Sequence, residues 1–376
     1  MKVAPILSAL ERAGHERVFV HTGQHYDATM SDAFFRDLRL PEPDFHLGVG
    51  SGSHARQTAR IMEGFEPVLL ESKPQWVVVV GDVNSTIACA LVASKMRHEH
   101  DCRIAHVEAG LRSNDWAMPE EVNRVLTDRL SDLLLTPSHD ARPNLLREGI
   151  DERRIVFVGN VMIDSLLRML PHAKALQMPE RLGATPGAYA VATLHRPSNV
   201  DDAAQLEVIL GAFAELTKRL PVLLPLHPRT RERIGAFGLD SVADGIRLME
   251  PLGYSEMLGL QSEAALVVTD SGGMQEESTV LGIPCLTLRE TTERPVTVTE
   301  GTNRMAPWPL TRDGILGAAE SALAGGRVPV GARAPEGWDG KAGERIVAAL
   351  EEGSKGESLS LRLLLGLVRG QFPIAP

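Results

Sequence analysis

The chain has 376 residues, more than one ordinary domain holds, and its hydrophobic content of 43% is sufficient for two buried cores. Its net charge of −10 and aromatic content of 4% argue against nucleic-acid binding and against attachment to an anionic membrane surface. The three cysteines show no disulfide framework and no zinc-ligand spacing, and the sequence shows no signal peptide and no apolar stretch long enough to span a bilayer. We therefore expect a cytoplasmic protein.

Short apolar runs alternate with helix-length patterns along the first half of the chain. Strands are predicted at residues 18–21, 76–80, 103–107, 133–136 and 155–158. Helices are predicted at residues 5–13, 54–72, 86–97, 120–130 and 140–148. Several of the apolar runs are continuous, which is typical of strands that are buried on both faces of a parallel sheet.

The same alternation continues in the second half. Strands are predicted at residues 189–193, 222–226, 246–249, 265–269 and 285–288, and helices at residues 203–220, 254–263, 274–281 and 343–352. The pattern predicts two doubly wound, Rossmann-like α/β domains, residues 1–165 and 166–350. Residues 351–376 are a tail with no clear place in either sheet. We expect a ligand in the cleft at the carboxyl ends of both sheets.

The first half has three carboxylates of interest, two directly after predicted strands and one at the start of a predicted helix. Asp82 comes after strand 76–80, Glu108 comes after strand 103–107, and Glu120 lies in the first turn of a helix. Asp82 and Glu120 also fit ordinary roles, since Asp82 can cap a helix and Glu120 can interact with a helix dipole. Three carboxylates converging at one site indicate general acid–base chemistry, with repulsion raising the pKa of at least one.

The second half has candidate anion-binding residues at its predicted strand ends. His195 and His227 each follow a strand and lie near an arginine, which favours anion binding or proton transfer. The turn Asp270-Ser271-Gly272-Gly273 precedes a helix, so its backbone amides and the helix dipole suit a phosphate. Glu277, one turn later, can bind a sugar hydroxyl. Arg294 can reach a phosphate or a sugar, but taken alone a surface salt bridge is the better explanation.

Common cofactor and metal motifs are absent from the sequence. It contains no Cys-x-x-Cys spacing, no Walker-type loop and no Gly-x-Gly-x-x-Gly turn after a strand, and its one His-x-x-x-His spacing, His21 to His25, starts in a predicted strand instead of a helix. We therefore expect no metal and no cofactor.

The motifs together resemble one known family. They are Gly81-Asp82, His106-Val107-Glu108-Ala109-Gly110-Leu111-Arg112, Pro119-Glu120-Glu121-Val122-Asn123-Arg124, His195-Arg196, Asp270-Ser271-Gly272-Gly273-Met274-Gln275-Glu276-Glu277 and Thr292-Glu293-Arg294-Pro295. In this order they resemble the non-hydrolysing UDP-N-acetylglucosamine 2-epimerases of bacteria, over about residues 2–350. The resemblance implies a glycosyltransferase-B-like fold, a homodimer without cofactor, and interconversion of UDP-GlcNAc and UDP-ManNAc by elimination of UDP to 2-acetamidoglucal and its re-addition.

The resemblance also implies a role for each matching residue. The proton-transfer and sugar-positioning groups are Asp82, Glu108 and Glu120, with His195 near the phosphates. The substrate-binding groups are Ser271, Gly272 and Gly273 at the diphosphate, Glu277 at the ribose, and Arg294 and Lys2 as further substrate contacts. Some relatives carry a second, activating UDP-GlcNAc site, and Gln24, Arg60, Arg196 and His227 stand at similar positions. Asp27 adds negative charge beside that site and disfavours such activation.

The start of the chain departs from the family. Relatives begin with a strand and a Gly-Thr-Arg-Pro-Glu loop, whereas Lys2 to Pro5 already matches the segment that follows. We therefore expect a natural start further upstream. We also expect an empty central position in the first sheet, and a chain beginning at Met1 that is poorly stable or inactive.

Three alternatives stay open at this point. The chain can be a hydrolysing relative that releases free sugar, a transferase with the glycosyltransferase-B fold, or a nucleotide-sugar-binding protein without catalysis. Each would bind a UDP-sugar, so the products formed from UDP-GlcNAc are what distinguish them.

Overall fold

The computed structural model describes residues 1–23 and 40–354, and the backbone of residues 362–367. The described residues form two compact units. The first comprises Met1–Ser165 and the described residues from Glu336 onward, and the second comprises Leu166–Pro335. Each unit contains one sheet in which every strand pairing is parallel. The predicted class of two doubly wound α/β units is confirmed.

The first unit begins with a helix and continues by strand–helix alternation. Its strands up to the unit boundary are β1 (Glu16–His21), β2 (Phe45–His46), β3 (Trp76–Val80), β4 (Arg103–Val107), β5 (Leu133–Thr136) and β6 (Ile155–Phe157). Its helices are α1 (Val3–Ala13), α2 (His54–Ser72), α3 (Asn84–Lys95), α4 (Pro119–Leu130) and α5 (Ala141–Arg147), and α6 (Val161–Ala175) crosses into the second unit.

Continuous apolar runs place core residues on both faces of the first sheet. In β3, Val78 and Val80 pack in one buried cluster with Leu10 of α1. Val77 packs in a separate cluster, which also contains Phe65 of α2. This two-sided burial is the reason that β3 lacks polar alternation.

The second unit repeats the alternation. Its strands are β7 (Ala190–Thr193), β8 (Val222–Pro225), β9 (Arg247–Met249), β10 (Leu266–Thr269), β11 (Cys285–Thr287) and β12 (Asn303–Met305), in the spatial order β12-β11-β10-β7-β8-β9. Its helices are α7 (Met178–Arg181), α8 (Pro197–Val200), α9 (Ala203–Leu216), α10 (Pro228–Ala236), α11 (Tyr254–Ser262), α12 (Gly272–Leu281), α13 (Val296–Thr299) and α14 (Arg312–Gly325). The strand order reverses between β7 and β10, where open α/β sheets form a ligand-binding crevice.

The chain returns to the first unit at its C-terminal end. Helix α15 (Ala342–Gly353) packs in the core cluster of α1, and Gly343 lies against the Pro5 carbonyl. Here the structure differs from the sequence analysis, which placed residues 336–350 in the second domain. The chain forms the whole second unit before it returns to the first, and no local sequence pattern indicates such a return.

Strand β13 (Arg362–Leu367) corrects two expectations. The first sheet has the order β2-β1-β13-β3-β4-β5-β6, and β13 pairs in parallel with β1 on one side and β3 on the other. The central position that we expected to be empty is therefore occupied, so the argument for unpaired backbone groups there does not hold. The segment 351–376, for which we expected no place, supplies this strand.

Among the described residues, no helix is both long and apolar enough to cross a membrane.

Candidate functional site

The end of β3 places Asp82 beside a buried cation. Gly81 adopts a φ of +76°, which turns the chain sharply after the strand. Arg124 on α4 then donates from Nε and Nη2 to Oδ2 of Asp82, at 3.0 and 2.8 Å. Both side chains are buried. Asp82 is thus an ion-paired carboxylate at the carboxyl end of the first sheet, as the sequence predicted for its place in the fold.

Glu108 follows β4, the strand next to β3, and has an unusual environment. Its φ of +69° is rare for a residue with a side chain. Its Oε2 accepts from the buried ammonium of Lys2, whereas its buried Oε1 has no hydrogen-bond partner among the described residues. An unpartnered carboxylate oxygen held next to a cation is suited to take a proton from a bound substrate. Lys2, which we expected to bind substrate, contacts Glu108 here.

Adjacent glutamates in α4 have different environments. Glu120 is half-buried in the first helical turn, after Pro119. Glu121 is buried, accepts from the backbone N–H groups of Ser113 and Asn114, and is ion-paired with Arg124. Glu121 therefore belongs to a structural network that fixes Arg124, while Glu120 stays accessible at the helix N-terminus.

In the second unit, Asp270 fixes His195 at the crevice between β7 and β10. The carboxylate is fully buried, lies 2.8 Å from Nδ1 of His195, and accepts from the backbone N–H of Arg196 at 2.9 Å. Burial raises its pKa, but the charge of His195 and these hydrogen bonds outweigh that effect and hold the pKa of Asp270 at about 2. The ionised Asp270 orients His195 with Nε2 away from it.

The turn after β10 leads directly into α12. Ser271 precedes the helix, and Gly272 and Gly273 are its first two residues. The Thr269 hydroxyl fixes the turn by accepting from the backbone N–H of Ser271 at 2.9 Å. The N–H groups of a first helical turn have no intrahelical acceptor, so this turn presents donors at the positive end of the dipole.

Glu277, one turn into α12, is buried. Its Oε1 accepts from the Tyr254 hydroxyl at 3.1 Å. Burial raises the pKa of Glu277 to about 8, and burial also raises the pKa of Tyr254. The raised pKa favours the protonated form of Glu277 at neutral pH, in which the carboxyl group can both donate and accept hydrogen bonds.

Arg294 is paired inside the second unit. Its Nε donates to Glu276 at 2.7 Å, and its Nη1 donates to Glu293 at 2.5 Å. Glu293 also lies 2.8 Å from Arg289, whose buried Nη1 has no hydrogen-bond partner among the described residues. This cluster, Glu276, Arg289, Glu293 and Arg294, holds two guanidinium groups and is joined to α12 through Glu276.

The four residues predicted to form an activating site are distributed over both units, and one of them lies outside the described residues. Gln24 lies outside the described residues. Arg60 in the first unit is exposed and donates to the Val49 carbonyl at 3.4 Å. Arg196 and His227 are half-buried in the second unit, and burial lowers the pKa of His227. The activating site stays a prediction.

Sequence reasoning missed the buried partners of the predicted residues. Arg124 and Asp270 were visible as parts of motifs, and Tyr254 only as the first residue of a predicted helix. Nothing local indicated that they contact Asp82, His195 and Glu277, respectively. The spacing of Glu121 and Arg124 by three residues in a helix is the one usable signal, because such residues face the same side.

The site residues and the fold together indicate a class of protein. Parallel doubly wound units, a glycine turn suited to phosphate, and buried carboxylates at strand ends are typical of enzymes that act on nucleotide-linked substrates. The sequence profile of the family described as UDP-N-acetylglucosamine 2-epimerase matches residues 8–351. The chain belongs to this family.

Two relatives and one solved structure illustrate the match. A protein of Methanocaldococcus jannaschii named UDP-N-acetylglucosamine 2-epimerase is 42% identical over 94% of this chain and 96% of its own. A Pseudomonas aeruginosa protein named UDP-2,3-diacetamido-2,3-dideoxy-D-glucuronate 2-epimerase is 43% identical over 84% of this chain and 86% of its own. The crystal structure of the M. jannaschii enzyme with UDP-GlcNAc and UDP has a TM-score of 0.82 at 41% identity, covering 94% of this chain and 96% of that one.

Proposed function

We propose that this chain interconverts UDP-N-acetylglucosamine and UDP-N-acetylmannosamine by inverting the configuration at C2. Membership of the family and the 42% identity with the M. jannaschii enzyme support the proposal. The observation that carries it is the environment of Glu108, which has one oxygen on Lys2 and the other buried without a partner among the described residues. Inversion at a carbon that bears hydrogen requires such a base.

The first unit supplies proton transfer in this proposal. A carboxylate takes the proton from C2, the electron pair forms the C1–C2 double bond, and UDP departs with the C1–O bonding pair. UDP then adds back to the 2-acetamidoglucal while an acid delivers a proton to the other face of C2. We assign these two tasks and sugar positioning to Asp82, Glu108 and Glu120.

The second unit retains UDP in this proposal. Backbone donors of Ser271, Gly272 and Gly273 bind the diphosphate, and His195 stabilises the negative charge that develops as UDP leaves. Glu277 binds the ribose hydroxyls. Arg294 acts through the cluster with Glu276 and Glu293, which sets the charge beside the diphosphate.

Product analysis tests this function. Incubation with UDP-GlcNAc, followed by proton NMR, is expected to show UDP-ManNAc approaching a constant ratio to UDP-GlcNAc. Free N-acetylmannosamine with stoichiometric UDP would instead indicate a hydrolysing enzyme. An unchanged UDP-GlcNAc spectrum despite measurable binding would indicate a binding protein or a transferase that lacks its acceptor.

A second substrate is a specific alternative. The P. aeruginosa relative, whose name specifies a diacetamido glucuronate, is as similar in sequence as the M. jannaschii enzyme. Inversion at C2 is common to both named reactions. Measuring kcat/KM for both UDP-sugars with the same preparation distinguishes them. We expect the larger value for UDP-GlcNAc, because the M. jannaschii match covers more of the chain.

We also propose a homodimer, as the family resemblance implies. Helices α2 and α4 border an open, mainly apolar cavity of about 570 Å³ in the first unit, lined by Met62 and Val122 among others. Leu126 on α4 and Trp116 just before it are exposed. A second copy covering this surface would remove apolar area from water. Light scattering is expected to give twice the chain mass, and Leu126→Glu is expected to shift the protein towards the monomer.

A further inference from the structure

His106 on β4 is buried between two hydrogen-bond acceptors. Its Nδ1 lies 2.6 Å from Oδ1 of Asp128 on α4, and its Nε2 lies 2.8 Å from the carbonyl oxygen of Gly81. His106 and Asp128 are both fully buried. Neither residue has a role in the proton-transfer steps proposed above.

The chemistry of the two acceptors fixes the protonation of the ring. A backbone carbonyl can only accept, so Nε2 must carry a proton. Asp128 also accepts from the backbone N–H of Gly110 at 3.1 Å, and its Oδ2 lies 2.7 Å from Arg112. A buried guanidinium and a backbone N–H thus both face Oδ2 of Asp128, which favours the ionised form of this carboxyl group. The ionised Asp128 therefore accepts from Nδ1, and a ring that donates from both nitrogens is an imidazolium.

We infer that His106 is a buried imidazolium, clamped by Asp128, that positions the Gly81–Asp82 turn. The catalytic half of this inference rests on the proposed epimerase function, and the protonation half does not. His106 acts through the Gly81 backbone, so it is a positioning residue and touches no reacting atom.

The position of the Gly81 peptide affects several of the proposed catalytic groups. Its N–H donates to the Val107 carbonyl at 3.0 Å, and its own carbonyl accepts from His106, so both sides of the residue are fixed. A Cβ at Gly81 would lie 3.2 Å from Nζ of Lys2 and 3.5 Å from Oε2 of Glu108. Asp82 is the next residue. A shift of the Gly81 peptide therefore disturbs Asp82 and the Lys2–Glu108 pair together.

The charges around His106 form a chain that ends at the surface. Asp128 contacts Arg112, and Arg112 donates from Nε and Nη2 to Glu148 at 2.7 Å each. The Glu148 side chain is 35% exposed, whereas Asp128 and Arg112 are buried. Beyond Gly81 stand Lys2 and Glu108. Glu148 thus belongs to the same network but is linked to His106 only through Arg112 and Asp128.

Nitrogen NMR of the full-length protein tests the protonation directly. Histidine ring nitrogens labelled with ¹⁵N report whether one or both carry a proton, and the signal missing from His106→Gln identifies His106. We expect both nitrogens of His106 to be protonated at pH 7, because both face hydrogen-bond acceptors. A single protonated nitrogen at pH 7 would overturn the inference.

Kinetics and backbone shifts of two variants test the positioning role. Asp128→Asn removes the anion that holds the imidazolium. Because a small misplacement of a catalytic group lowers the rate of the chemical step, we expect kcat to fall about 10- to 100-fold with KM nearly unchanged. Glu148→Gln is the matched control, and we expect near-wild-type kcat. Folded Asp128→Asn protein with the kcat of Glu148→Gln would refute positioning.

A separate readout keeps this inference distinct from the proposed function. The Gly81 amide signal in a ¹H–¹⁵N spectrum is expected to move in Asp128→Asn and to stay in Glu148→Gln, whether or not the wild type epimerises a sugar. An inactive wild type with this shift pattern and a doubly protonated His106 would refute the epimerase function alone. An unmoved Gly81 signal in folded Asp128→Asn would refute the positioning role alone.

Discussion

Asp82 and Glu108 in the first unit differ from Glu277 in the second unit in what surrounds their buried carboxyl groups. Asp82 and Glu108 are ion-paired with Arg124 and Lys2. Burial raises the pKa of Glu277 to about 8. A cation close by favours the ionised form of a carboxyl group, whereas burial favours the neutral acid. We infer that this contrast separates a proton-transfer region in the first unit from a binding region in the second.

We expect the largest effect from removing β13, the strand that completes the sheet of the first unit. Truncation after Ser354 removes β13 from between β1 and β3, which exposes the ladder groups of both neighbours in the middle of the sheet. We expect loss of cooperative unfolding of the first unit in calorimetry. Truncation after Gly370 keeps β13 and is the control. Equal unfolding transitions for both truncations would contradict the position of β13.

Glu108→Gln tests the proton-transfer region next. The amide keeps the shape but cannot accept a proton from C2, so we expect kcat to fall about 10²- to 10⁴-fold in the epimerase assay. Glu66→Gln, an exposed change on α2, is expected to leave kcat unchanged. If Glu108→Gln retains more than a tenth of wild-type kcat, Glu108 is not the base.

Arg124→Met tests the ion pairs of the first unit as a stability device. The variant leaves the buried carboxylates of Asp82 and Glu121 without their cation, and a broken buried pair costs about 3–5 kcal/mol. Urea unfolding measures the loss. Arg129→Met changes an exposed arginine of the same helix and is expected to cost far less. Similar losses for both would show that the pair contributes little.

Glu277→Gln tests the other side of the comparison through pH. Because the pKa of Glu277 rises from 4.5 to about 8 on folding, the native state holds a proton that the unfolded chain releases in this window. Wild-type stability should therefore fall, relative to Glu277→Gln, as the pH rises from about 5 to about 8, by on the order of a few kcal/mol. The exposed Glu232→Gln should follow the wild type. Parallel pH curves for wild type and Glu277→Gln would exclude a protonated Glu277.

The sequence predicted elements whose residues carry a local pattern. The continuous valines of β3 indicated a buried strand, and Gly81-Asp82 after them indicated a site residue. The two-residue β2 and the edge strand β12, with an exposed Arg304, have too little pattern to be recognised. The apolar run of β13 was visible, but its partners lie at the other end of the chain, and only tertiary structure brings them together.

The candidate site shows the same division. Strand-end residues such as Asp82, Glu108 and His195 could be predicted, because parallel strands end at one edge of a sheet. The ion pair of Lys2 with Glu108 and the two acceptors of His106 could not, because they depend on how helices and turns pack over those ends. The left-handed φ of Glu108 also has no sequence signal.

We propose that carboxylates of the first unit exchange the proton at C2 of a UDP-sugar that the second unit retains. Incubation with UDP-GlcNAc in D2O, followed by mass spectrometry and NMR of the recovered UDP-sugars, measures this exchange. We predict deuterium at C2 of UDP-ManNAc and, with time, of UDP-GlcNAc. Recovered UDP-GlcNAc without deuterium, from protein that binds it, would contradict this proposal.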